Sequence, residues 1–146
     1  MKKFIALTLA LTLAVSLAAC DNKNEKLEIG GYSAEKIAAD VYYVEGVKLE
    51  SDSGDNISAS EGARKVWDIL KSDAELRTAA KDMNIYIWLR GMEGFAYEED
   101  FYVYGIELAE KGSEDTMNLY NVALGYEGDL YVNQDNSGWE FYGSGD

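Results

Sequence analysis

This chain of 146 residues has no histidine, no proline and one cysteine, and it carries 13 basic residues against 27 acidic ones. Without histidine there is no Ser-His-Asp or Cys-His nucleophile and no imidazole-bound zinc. A single cysteine cannot close a disulfide within the chain. The shortage of positive charge leaves a formal net charge of −14. Such a surface repels phosphate-rich partners and argues against nucleic acid and against electrostatic docking on anionic lipid. The apolar stretch over residues 4–15 is shorter than the ~20 residues a membrane-spanning helix needs. Carboxylates, tyrosine, serine and lysine are the residue types left for catalysis.

Strongly acidic chains are often disordered. Here the acidity coexists with 47% apolar residues, 11 tyrosines and 3 tryptophans, enough to build a packed core. The N-terminus is the most distinctive segment. Lys2 and Lys3 precede the apolar stretch, and small residues lead into Leu17-Ala18-Ala19-Cys20, the pattern of an export signal. Its ending resembles the lipobox of bacterial prolipoproteins. That resemblance implies a diacylglyceryl group on the Cys20 sulfur and cleavage just before it. Residues 1–19 are then a signal peptide, 20–29 a lipidated tether and 30–146 a single globular domain. The expected location is the exported side of a bacterial membrane. The lipid on Cys20 would supply an attachment that the acidic surface itself opposes.

Within the domain, Ser33 is expected to cap a brief helical turn, and Val41, Tyr43, Val47 and Leu49 to share one face of a strand. Residues 51–56 (SDSGDN) read as a loop. Ser58 with Glu61, and Ser72 with Glu75, have the spacing of capping boxes and predict two helices in succession. Ala63, Val66, Trp67 and Leu70 fall at helical spacing after the first start, as do Leu76, Ala79, Ala80 and Met83 after the second. From residue 84 the period becomes two. Ile85, Ile87 and Leu89 alternate with Tyr86 and Trp88, and further strands follow at 101–108, 119–126, 130–132 and 139–142. The expected fold is α+β, with two consecutive helices on one face of an antiparallel sheet of four to five strands.

Three kinds of chemistry fit the remaining residues. Glu93, Glu98, Glu99 and Asp100 are the densest carboxylate group, and paired carboxylates hydrolyse glycosides when they oppose each other across a cleft. The competing reading is a solvated hairpin loop. Oxygen-rich loops at 52–56 and 133–138 bear on calcium, but neither keeps the EF-hand phase: Asn133 is uncharged at position 1, and Ser144 stands at position 12. They read as turns, so no metal or other cofactor is expected. The third feature is the aromatic content of the strands, in Tyr86, Trp88, Tyr102, Tyr104, Tyr120, Tyr126, Tyr131 and Tyr142. Tyr102, Tyr104, Tyr120 and Tyr126 share their faces with Ile106, Leu108, Val122 and Leu124, which points to core. Tyr86 and Trp88 lie opposite the isoleucine side and form the candidate binding surface if the helices cover that side.

Residues 101–142, with FYVYGIEL, YNVALGYEGDLYV and the closing Trp139, resemble sheet modules of bacterial envelope lipoproteins. The order of helices then strands is also similar to small lipoproteins that assist outer-membrane assembly. Neither resemblance carries a catalytic motif. The implied function is a non-enzymatic binding or envelope-assembly module with a protein partner in the envelope. The alternative is a carboxylate-based hydrolase of cell-wall or other glycans.

Overall fold

The computed structural model describes residues 26–49, 57–94, 100–125, 128–133 and 138–144. Cys20 and the signal stretch, the loop at 51–56, Glu98, Glu99, Tyr126 and Asp135 lie outside these residues, as do the side chains of Glu93 and Asp100. Three strands come first: β1 (Lys26–Ile29), β2 (Tyr32–Ala38) and β3 (Val41–Val44). Two helices follow, α1 (Ala59–Leu70) and α2 (Ala74–Ala79). Five more strands complete the fold: β4 (Met83–Gly94), β5 (Asp100–Glu110), β6 (Met117–Leu124), β7 (Asp129–Asn133) and β8 (Glu140–Ser144). All eight form one sheet in chain order, antiparallel except where β4 pairs parallel to β3. That one parallel junction is where the helices cross over, since a parallel neighbour cannot be reached by a tight turn.

The α+β class and the largely antiparallel sheet agree with the sequence reading, but the sheet has eight strands rather than four to five. The difference lies mostly before the helices. The stretch expected to be a tether through residue 29 ends in β1, and Ser33 sits inside a strand rather than capping a helical turn. Gly30 and Gly31, at φ +57 and +85, make the two-residue turn that joins β1 to β2. Positive φ at both central positions matches the right-handed twist of a hairpin and is open to glycine without strain. The strand expected to run to Leu49 ends at Val44.

Ser58 caps α1 as expected, its hydroxyl accepting from the Glu61 amide at 3.1 Å. The second start is shifted by one residue. Asp73, not Ser72, caps α2 and accepts from the Leu76 amide at 2.9 Å. Ala63, Val66, Leu70 and Leu76 bury against Ile85, Ile87, Leu89, Tyr104, Ile106 and Val122, so the main core lies between the helices and one face of the sheet. Tyr102 and Tyr104 belong to this core. Their hydroxyls donate to the carbonyls of Ile57 at 2.8 Å and Ala59 at 2.6 Å, pinning the start of α1 to β5. Glu35 of β2 adds a polar tie, accepting from Ser60 and Arg64 of the same helix.

Candidate functional site

The face of the sheet away from the helices divides into two halves. On the β1–β4 side Ile29, Ala34, Tyr42, Val44 and Tyr86 form a second buried cluster, joined by Ala109 of β5. Tyr86 is only 5% exposed and stacks on Tyr42, with ring centroids 5.4 Å apart. Half of the expected binding pair is therefore core. Tyr86 does lie on the face opposite Ile85, Ile87 and Leu89, but that face is not uniformly open. β3 shows why: it reads Val-Tyr-Tyr-Val and all four residues are buried, two toward each cluster.

Trp88 is half-buried and marks the border between the halves. Tyr32 meets its indole edge-on at 5.2 Å, and the Arg90 guanidinium lies 5.6 Å from the ring centre on its face. Gly46 leaves the space that this arrangement needs, because a Cβ there would stand 1.9 Å from Trp88 Nε1.

Beyond Trp88 the outer face carries a polar row beside an apolar one, Val103–Ala123–Tyr131–Phe141. Strand register places Trp88 beside Gly105, Gly105 beside Asn121, and Asn121 beside Asn133, one row across β4 to β7. Gly105 is the low point of that row. A Cβ on it would lie 2.8 Å from Asn118 Nδ2 and 2.9 Å from Arg90 Nε, so the missing side chain makes room for both polar groups. Arg90 sits at a break in the β4–β5 register between Leu89 and Gly91, where β4 bulges. Its guanidinium donates to Glu107, a buried carboxylate that also accepts from the Thr116 hydroxyl. An ion pair of this kind holds the arginine in one place and meets its charge.

A hollow of about 400 Å³ opens on this polar half, lined by Arg90, Met92, Val103, Asn121, Asn133 and Trp139. Asn121 accepts from Asn118 at a long 3.4 Å, and Asn133 Oδ1 is buried without a hydrogen-bond partner. Asn133 stood out in the sequence only as the uncharged first position of an oxygen-rich loop, and Asn118 and Asn121 did not stand out at all. Their signal is asparagine within strands, where it is disfavoured, together with a glycine in the middle of β5.

A second hollow, of about 280 Å³, lies on the helix side between α2 and β8, lined by Asp73, Glu75, Leu76, Tyr120 and Tyr142. Its carboxylate is already committed: Asp73 Oδ1 accepts from the Leu76 amide and Oδ2 accepts from the Tyr142 hydroxyl at 2.6 Å. The Tyr142 hydroxyl, followed by the Leu76 amide, holds the Asp73 carboxyl below its ordinary range. Burial pushes the Tyr142 hydroxyl up to about 12, with the bond to Asp73 adding to it, and burial raises Tyr120 still further. Asp73 thus stays ionised as a helix cap, whereas glycoside hydrolysis needs a carboxylic acid whose proton is retained.

Among the described residues no group of three cysteines or carboxylates gathers as a metal site, and no helix is long and apolar enough to cross a membrane. Set against family models, curated proteins and solved structures, the chain matches none.

Proposed function

We propose that this protein is a lipid-anchored module of the bacterial envelope that acts by binding, through the polar half of its outer sheet face. The observation that carries the binding role is the row Gly105–Asn121–Asn133 beside Arg90. It sets amides and a pinned guanidinium around a hollow on four paired strands, β4 to β7, away from the helices. Sites built on sheet strands hold their geometry better than sites on loops. The anchor rests on Leu17-Ala18-Ala19-Cys20 after a basic start and a short apolar stretch.

Two measurements test this reading. A Cys20→Ser variant should lose fatty-acid labelling and detergent-phase partitioning; if it partitions like the parent, the anchor is refuted. Full-length lipidated protein should then be used to capture envelope components, alongside an Asn121→Lys variant that fills the outer face. Material retained intact by the parent and lost by the variant supports a binding module. Capture that Asn121→Lys leaves unchanged refutes the role of this face, and recovery of cleaved glycan refutes the non-enzymatic role.

A further inference from the structure

Resting on that reading, we propose that the outer-face hollow takes a neutral carbohydrate, with Asn133 and Asn121 supplying hydrogen bonds and Trp139 an apolar wall. Buried polar atoms nearly always find a partner, and leaving one without costs about 1–3 kcal/mol. Asn133 Oδ1 has none, and the oxygen of Asn121 has only the 3.4 Å contact with Asn118. A terminal amide turns readily about its last bond. Asn133 is therefore an uncommitted group at the edge of the hollow, able to turn either its oxygen or its nitrogen to an occupant.

Arg90 is the only charged residue among the described residues lining the hollow, and Glu107 already meets it. An anionic ligand finds no unmatched positive charge there and meets a protein of net charge −14. A cationic ligand finds no carboxylate among the described residues of the lining. The occupant is neutral.

About 400 Å³ falls within the roughly 300–1,000 Å³ of small-molecule sites. The walls alternate between amides and the apolar surfaces of Trp139, Met92 and Val103. A sugar ring has this pairing, with hydroxyls around its rim and a C–H face that packs on an aromatic ring. An extended peptide is the poorer fit. It would add at a sheet edge, here β1 or β8, whereas the row Gly105–Asn121–Asn133 crosses interior strands.

The test uses the full-length lipidated protein in a sugar-free zwitterionic detergent, titrated separately with cellotetraose, maltotetraose and chitotetraose. At least one should bind and move the side-chain amide NMR signals of Asn121 and Asn133 and the indole signal of Trp139. Asn133→Leu should weaken that binding about tenfold, the worth of one hydrogen bond. It should also leave thermal stability equal or raised, because it removes an unpaired buried acceptor. Binding unchanged by Asn133→Leu overturns the proposal, as does a marked loss of stability, which would show the amide to be structural. Should the variant misfold, shifts in the parent confined to other residues overturn it equally. If no oligosaccharide binds while the face still captures a protein that Asn121→Lys releases, the ligand class falls and the binding role stands.

Discussion

Gly62 lies directly against Tyr104: a Cβ on Gly62 would stand 2.3 Å from the tyrosine oxygen, which itself donates to the Ala59 carbonyl. In a helix interior, alanine is worth about 1 kcal/mol more than glycine. Here the opposite outcome is expected, because Tyr104 is fully buried and a rigid ring has no room to retreat. Gly62→Ala should destabilise the fold by about 1–3 kcal/mol. In a Tyr104→Phe background the obstructing oxygen is gone, and the same substitution should cost clearly less. Urea unfolding of the four proteins in this cycle checks the coupling; strictly additive effects would refute the contact.

The cap of α2 predicts a pattern across neighbouring residues. Ser58→Ala and Asp73→Ala should each lower stability by about 1 kcal/mol, the usual worth of an N-cap, and Ser72→Ala should change little. Chemical denaturation of the three variants separates the one-residue alternatives.

The Asp73–Tyr142 bond should also be readable in the pH dependence of stability. Asp73 is held below its ordinary value in the folded state, so its contribution is present above the unfolded carboxylate value near pH 4 and is lost as pH falls through the folded one. Tyr142 has the reverse sign. Its contribution is complete below the unfolded tyrosine value near pH 10 and disappears as pH rises through about 12. The stability difference between the parent and Tyr142→Phe should therefore be widest at neutral pH and shrink at both ends. A difference that stays flat from acid to alkali would show that the bond does not persist in solution.

Glu107 is buried with Arg90 and Thr116 as its side-chain partners, which makes the pair asymmetric to mutation. Arg90→Leu should cost about 3 kcal/mol, because it strands a buried carboxylate. Adding Glu107→Leu should recover most of that loss, since apolar groups of similar size often replace a buried ion pair without penalty. Thermal unfolding compares the two; a double variant no better than the single one contradicts the assignment.

The parts of the fold that were legible in the sequence are those set by local pattern. Ser58 with Glu61 fixed the start of α1, and Ile85, Ile87 and Leu89 fixed the buried face of β4. β1–β3 were harder. β3 is buried on both faces, which erases alternation, and in β2 Ala34 faces one cluster while Glu35 faces the helix. The Gly30-Gly31 turn was a readable hairpin signal between them. Asp73 and Ser72 are both good caps, and a residue as distant as Tyr142 shares the one that is used. The polar face was concealed by a register shift. Asn118 and Asn121 are three apart, which puts them on opposite faces of a regular strand, yet the irregularity opposite Ile106–Glu107 brings their amides together.

The single parallel junction governs the order in which the sheet assembles. β4 to β8 zip up through short hairpins, each needing only a small loop to close. β3 reaches β4 only after the whole stretch carrying α1 and α2 has been gathered between them, which costs more chain entropy before any contact is made. The β1–β3 ribbon is accordingly expected to dock last and to lift first, which hydrogen exchange along the strands would check. When it lifts, Tyr32 leaves the edge of Trp88, so the indole beside the polar face serves as a built-in optical reporter of the final closing step.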